Sequence, residues 1–243
     1  MTRIVFEGLV NARDVGGIPA GEGRVISQGR LLRSETPQLM TPADVTRAVE
    51  ELNVTRVVDL RSPADGGSGP LGADGRGVSV SFFDLAPGSR GPGVDRTADG
   101  FLPGQLDHAA PVVGRVFEQL VDHDGATLVH CRTGKDRTGF VIAVTLAVLG
   151  ASDADIIADY GRSASCFDAM NANLDAAGMP LADGAPEFAR ARPSTVGITE
   201  LLRQLRTRWP TPVAYLTEHG VDPALADTVV DRLTEPNPEG TTA

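Results

Sequence analysis

Short runs of alternating apolar and polar residues give way, several times along this chain, to longer stretches with helical spacing. Thr55-Arg-Val-Val-Asp-Leu60, Val78-Ser-Val-Ser-Phe-Phe83 and Thr127-Leu-Val-His130 each read as a short strand. A short strand pair is expected around Val25-Ile26 and Leu31-Leu32. Between these runs lie helices with clear start signals. Thr41-Pro42-Ala-Asp44 supplies an N-cap, a proline at the first helical position and a capping-box carboxylate, and Val45, Ala48, Val49 and Leu52 then share one face. Another helix begins near His108 or Pro111 and runs to Val121, with Val112, Val113, Val116, Phe117 and Leu120 inward. Phe140 to Leu149 is almost wholly apolar, which predicts a buried helix. Ser152 opens a further helix with the pattern Ser-x-x-Asp155. The rest is helical: Thr195 to Trp209 with Ile198, Leu201, Leu202 and Leu205 inward, then a helix from Thr211-Pro212 to Gly220, and a last one from Asp222-Pro223.

Strands alternating with helices, followed by a helical C-terminal half, predict an α/β fold with a central, mostly parallel sheet flanked by helices. Residues 63–77 and 86–104 are rich in Gly and Pro and read as surface loops. No internal repeat is visible, so residues 1–235 are expected to form a single domain and 236–243 a disordered tail.

Composition narrows the partners. The 243 residues are 41% hydrophobic, enough for a core without disulfides. Net charge is −10 and pI about 4.8, which argues against nucleic acid or an anionic membrane as a bulk partner. The two cysteines, Cys131 and Cys166, suggest neither a disulfide framework nor a zinc cluster, so no metal and no cofactor is expected. With no secretory signal and no transmembrane segment, the expected location is cytoplasmic, with leaderless export left open. An anionic substrate must then be captured by a local positive site. Lys135 is the chain's only lysine, and it falls inside a glycine-bearing loop beside a cysteine and an arginine.

That loop is His130-Cys131-Arg132-Thr133-Gly134-Lys135-Asp136-Arg137-Thr138-Gly139. A strand that ends in such a loop and opens into a buried helix aims backbone N–H groups and a helix dipole at one spot, which makes an anion site. Cys131 stands at the loop's start, where those groups favour its thiolate, the nucleophilic form. Arg137 can curl back to grip two phosphate oxygens with its planar fork, and Lys135 adds charge at the rim. A thiolate needs no base, so His130 is expected to fix the loop by a hydrogen bond. Thr138 could bond the thiolate when it leaves, and Gly134 and Gly139 allow close backbone approach. A Walker A loop would need Ser or Thr after Gly-Lys, where Asp136 stands.

The decapeptide closely resembles the C-x5-R loop of cysteine phosphatases. It matches the His-Cys-x-x-Gly-Lys-Asp-Arg-Thr-Gly version of the bacterial protein-tyrosine/serine phosphatases related to the secreted mycobacterial enzyme. Asn11-Ala-Arg13-Asp14-Val-Gly-Gly, Leu32-Arg33-Ser34, Asp59-Leu-Arg61-Ser62 and Asp159-Tyr160-x-Arg162-Ser163 resemble the family's other blocks in the right order, and Tyr215-Leu-x-x-x-Gly220 fits more loosely. Two departures stand out: Asp65 where the family usually carries Glu, and a Gly/Pro-rich stretch before the loop where some relatives carry lid helices. The resemblance implies a cysteine-phosphatase fold and a phosphocysteine intermediate. It implies phosphotyrosine hydrolysis, extending to phosphoserine and phosphothreonine. Lys135 and Asp136 also resemble loop residues of myotubularin- and tensin-like enzymes, which adds phosphoinositides. A phosphate-binding module without turnover is the reading from another class.

A leaving oxygen needs a general acid. Proximity favours Asp136 over Asp84, which follows the Phe82-Phe83 strand; Asp107 ranks behind both. Arg132 is expected to face outward toward substrate, and Thr133 and Gly134 to contribute amides to the phosphate cradle. Arg13 and Asp14 brace the loop or serve a turn, and Arg61 reads as a buried ion-pair arginine. Cys166, Phe167 and Met170 read as helix packing.

Overall fold

A computed structural model describes residues 2–62, 67, 69–72, 76–85, 95, 97–181 and 185–237. Asp65, most of the Gly/Pro-rich stretches and residues 238–243 lie outside the described residues. The first two strands, β1 (Thr2–Arg3) and β2 (Arg13–Asp14), are followed by β3 (Pro19–Ala20), β4 (Arg24–Ile26) and β5 (Leu31–Ser34). Then come helix α1 (Pro42–Thr46), extended by a wider turn over Arg47–Glu51, and strands β6 (Val54–Asp59) and β7 (Ser79–Phe82). Helices α2 (Phe101–Gly104) and α3 (Ala110–Val121) precede β8 (Ala126–His130) and α4 (Asp136–Val148). The remaining helices are α5 (Asp153–Ser165), α6 (Phe167–Ala176), α7 (Glu187–Arg190), α8 (Thr195–Arg208), α9 (Pro212–Glu218) and α10 (Pro223–Leu233), and the last strand is β9 (Thr234–Pro236).

The main sheet runs β1-β2-β5-β8-β6-β7. β5 and β6 flank β8 in parallel, β7 adds in parallel to β6, and β1 and β2 continue antiparallel beyond β5. The two-residue period of the strands divides the core. Leu31, Val58 and Val129 face α3, α4 and the C-terminal helices, whereas Leu32, Val57 and Leu128 face the N-terminal segment and α1. Burial on both faces explains the near-continuous apolar runs. The α1 start is built as its sequence suggests: Thr41 Oγ1 accepts from the Asp44 amide and the Asp44 carboxylate accepts from the Thr41 amide.

Two expectations need correction. Val25 and Leu31 do not pair with each other. Gly29, at φ +69°, turns the chain between them, so β4 joins β3 and β9 in a separate antiparallel sheet while β5 enters the main one. The expected tail boundary also falls inside β9: Pro236 pairs with Arg24, and the Asn237 amide bonds the carbonyl of Gly23. Backbone pairing with β4 and the bonds from Arg24 to Thr234, 210 residues apart, hold this segment, and so distant a partner leaves no local sequence signal.

Candidate active site

In a parallel sheet the loops that leave the carboxyl ends of the strands gather at one edge, and that edge is where ligands bind. Here the register aligns Ser34, His130 and Asp59 side by side at the ends of β5, β8 and β6. Cys131 follows directly, at the base of the loop into α4.

The loop's backbone is oriented from outside. The carbonyl of Cys131 bonds His130 Nδ1 at 3.0 Å, that of Arg132 accepts from the Thr36 amide at 3.0 Å, and that of Thr133 from Asn11 Nδ2 at 2.9 Å. The Gly134 carbonyl accepts from Arg33 Nη2 at 2.7 Å, and that of Lys135 from the Gly139 amide at 2.8 Å. All five carbonyls from Cys131 to Lys135 are thus engaged, three of them by Thr36, Asn11 and Arg33 from outside the decapeptide. The α4 start adds amides that no preceding turn can satisfy. Gly134 makes the bend, at φ +64°; a Cβ there would collide with the backbone of Ser34 and Glu35. A Cβ at Gly139 would meet the Tyr160 ring at 2.8 Å, so this glycine sets how closely α5 approaches α4.

The bracing groups are themselves locked. Arg13 ion-pairs with Asp159 at 2.7 Å and donates to Asn11 Oδ1 at 2.7 Å, and Asp159 also pairs with Arg33. Burial would raise Asp159, but the charges of Arg33 and Arg13 more than offset it and hold the carboxylate below its usual range. Burial brings Arg33 down to about 10, so it remains charged at neutral pH. Asn11, Arg33 and Asp159 were not legible as bracing residues in the sequence; only their place in ordered family blocks marked them. Arg13 reaches the loop through this network. Asp14 does not: its carboxylate accepts from the amides of Gly16 and Gly29 at 2.8 and 2.7 Å, shaping turns instead.

Arg137 is the one residue of the thirteen in α4 that is not buried. It lines two adjoining depressions. One, of about 30 Å³, is formed with Cys131, Arg132, Thr133, Asp136 and Phe188; the other, of about 160 Å³, with Arg61, Arg132 and Met179. Arg132 is half-buried and donates to the carbonyl of Met179. Arg61 is buried and forms an ion pair with Asp59 at 2.7 Å, as its sequence reading anticipated, and also donates to Gln38 Oε1 at 2.8 Å.

Lys135 is not at the rim. It is 1% exposed, and its ammonium donates to the carbonyls of Phe188 and Ala191, each at 2.6 Å, with Asp136 at 3.4 Å and the Phe167 ring at 5.3 Å. The physical reason is the segment around α7, which covers the lysine and offers two carbonyls with no helical partner. Its position in the chain gave no hint of this contact, 53 residues away.

Burial holds His130 down at about 4, so the ring is neutral near pH 7. A carbonyl only accepts, so Nδ1 carries the proton given to Cys131. Nε2 sits 3.6 Å from Asp59, whose carboxylate burial would raise but Arg61 and His130 hold low. The Thr138 hydroxyl is buried and has no hydrogen-bond partner among the described residues.

Of the candidate acids, Asp136 lies beside Cys131, and burial lifts it to about 6 against the opposing charge of Lys135. Asp84 is half-buried beyond β7, two strands from β8, and Asp107 pairs with Arg208 on the surface. Cys131 and Cys166 are both free thiols. Among the described residues no group of three His, Cys, Asp or Glu is placed to hold a metal ion, and no helix is long and apolar enough to cross a membrane.

Residues 4–235 match the model of the tyrosine phosphatase family. A Cupriavidus necator protein named as a tyrosine-protein phosphatase is 34% identical over 172 residues, 66% of this chain and 62% of that protein. The triple specificity protein phosphatase PtpB of Mycobacterium tuberculosis is 28% identical over 210 residues, 69% of this chain and 71% of its own. A tyrosine-protein phosphatase of Nostoc commune is 35% identical over 71 residues, 29% of this chain and 24% of that protein. The chain thus spans less than two thirds of the Cupriavidus and Nostoc proteins. The match over 4–235 runs through the loop, its braces and the helices that cover them, and by it the chain belongs to the tyrosine phosphatase family.

Proposed function

We propose that this chain is a cysteine-dependent phosphomonoesterase that hydrolyses phosphotyrosine through a phosphocysteine intermediate. The observation that carries this reading is a free thiol that shares a depression with Arg137 at the start of a loop whose carbonyls are all engaged in hydrogen bonds, an arrangement that leaves the loop amides to a ligand.

In the first step Cys131 Sγ attacks phosphorus while the bond from phosphorus to the ester oxygen breaks, and Asp136 gives that oxygen its proton. The Arg137 fork and the amides of Arg132 to Arg137 hold the three equatorial oxygens, where charge spreads in the transition state. In the second step a water attacks phosphorus and loses its proton to the Asp136 carboxylate. The P–S bond breaks, inorganic phosphate departs, and the Thr138 hydroxyl donates to the returning thiolate. Asp136 suits both duties because a carboxyl near 6 exists in both forms close to neutral pH. His130 supports the loop by orienting the Cys131 carbonyl. Lys135 supports it by fixing the α7 segment that walls the depression.

The substrate range is proposed as phosphotyrosine first, extending to phosphoserine, phosphothreonine and phosphoinositides. In support, one relative carries the name of a triple specificity phosphatase, and the adjoining depression gathers Arg61, Arg132 and Arg137. Turnover of phosphotyrosine peptide, phosphoserine peptide and phosphoinositide by the wild type and by Cys131→Ser tests the proposal. Hydrolysis lost in the variant with binding kept supports catalysis. Equal, negligible turnover in both proteins would leave only a phosphate-binding module.

A further inference from the structure

A further cleft, of about 410 Å³, shares no lining residue with the two depressions at Arg137. Its walls come from β1, the turn before β2, and the junction of α5 with α6. Three arginines line it, Arg3, Arg13 and Arg162, and no Asp or Glu does. That lining runs against the whole molecule, whose acidic residues outnumber its lysines and arginines 32 to 22. Two other clefts of similar size are acidic on balance: one carries Asp95, Asp99, Asp107 and Glu200, another Glu22, Asp227 and Asp231 against Arg24.

The charges in this cleft are also less compensated than elsewhere. Arg13 is committed to Asp159, but the side chains of Arg3 and Arg162 are exposed and have no hydrogen-bond or ion-pair partner among the described residues. Most described arginines of this chain are tied to a carboxylate or carbonyl. Two unpartnered guanidiniums lining one cleft suit a ligand with several charged oxygens, which planar forks bind in pairs. The lining also includes the half-buried Cys166, whose thiol donates to Asn11 Oδ1 at 3.4 Å. Asn11 in turn holds the Thr133 carbonyl, so an occupant would rest against the strut of the catalytic loop.

We propose that this cleft is a second anion site, taking a small multivalent oxyanion between Arg3 and Arg162. Cys166 is the natural reporter, because in a Cys131→Ser protein it is the only thiol. The experiment measures alkylation of Cys166 by uncharged iodoacetamide with and without inorganic pyrophosphate, and in parallel with citrate. The expected result is at least threefold slower labelling with one or both anions. Pyrophosphate acting alone assigns phosphate chemistry, citrate alone carboxylate chemistry, and both a general oxyanion site. Protection should vanish in a variant that also carries Arg3→Ala and Arg162→Ala, both exposed positions whose truncation leaves the core intact. It should persist when Arg137→Ala is added instead, since that change empties only the catalytic loop. Unchanged labelling with both anions overturns the proposal. So does protection that survives the Arg3/Arg162 pair or disappears with Arg137→Ala. None of these readings involves turnover, so their failure leaves the catalytic proposal standing.

Discussion

The side-chain amide of Asn11 reaches across 122 residues of sequence to donate a 2.9 Å hydrogen bond to the carbonyl of Thr133 in the loop between β8 and α4. Both groups are buried, so without this bond the carbonyl has no water to turn to and the loop must relax around it. For Asn11→Ala we expect kcat on an aryl phosphate to drop by about 10²-fold, the scale of a small misplacement of reacting groups. Stability should fall by only about 1–3 kcal/mol, the penalty of one unsatisfied buried group. Urea unfolding beside steady-state kinetics separates the two, and an unchanged kcat would remove Asn11 from the loop's support.

Asp136 as proton donor has a kinetic signature. Asp136→Asn should slow esters with poor leaving groups by about 10²–10⁴-fold and activated aryl esters far less. The acid must be protonated, so kcat/KM should decline as pH rises through about 6, and this decline should be absent in the variant. A leaving-group effect confined to Asp84→Asn would transfer the role to Asp84.

Lys135→Met removes two hydrogen bonds to the α7 segment and the positive charge beside Asp136. Two stranded carbonyls predict a loss of about 2–4 kcal/mol by urea unfolding. Because the lysine charge opposes the upward shift of Asp136, its removal should also move the alkaline limb of kcat/KM to higher pH. A lysine that instead touched substrate would raise KM and leave that limb in place.

His130 and Asp136 act on stability in opposite directions over overlapping pH ranges. Folding lowers His130 from 6.5 to about 4, so between those values the unfolded chain binds the extra proton and stability rises with pH. Folding raises Asp136 from 3.8 to about 6, so there the folded chain binds it and stability falls as pH rises. Each slope partly hides the other. Between pH 4 and 6, Asp136→Asn should steepen the rise of unfolding free energy with pH by up to one proton, and His130→Asn should depress it by as much. Parallel curves for wild type and both variants would show that neither group titrates as described.

The short-range grammar of the chain was readable and the long-range wiring was not. Proline, Thr and Ser at helix starts, two-residue alternation in the strands and the glycines of the loop act on their near neighbours. They therefore located α1, α3, α4, α8 and β8 within a few residues. Lys135 looked like a surface charge because the group that buries it lies 53 residues further on. Arg33 and Asp159 hold the loop through partners more than 100 residues distant, and only the resemblance drew attention to their blocks. Asp14 shows the reverse: a residue in a family motif whose bonds go to adjacent turns.

The decapeptide does not sustain its shape alone. Of the four carbonyls between Cys131 and Gly134, only that of Cys131 is held from inside the motif; the others depend on Asn11, Arg33 and Thr36. An excised peptide of this sequence should not capture phosphate, and a chain cut before α5 should lose the site although every loop residue remains. On the proposed mechanism, turnover is in this sense a property of the finished molecule. It becomes available only when the first third of the chain has met the loop in the middle third.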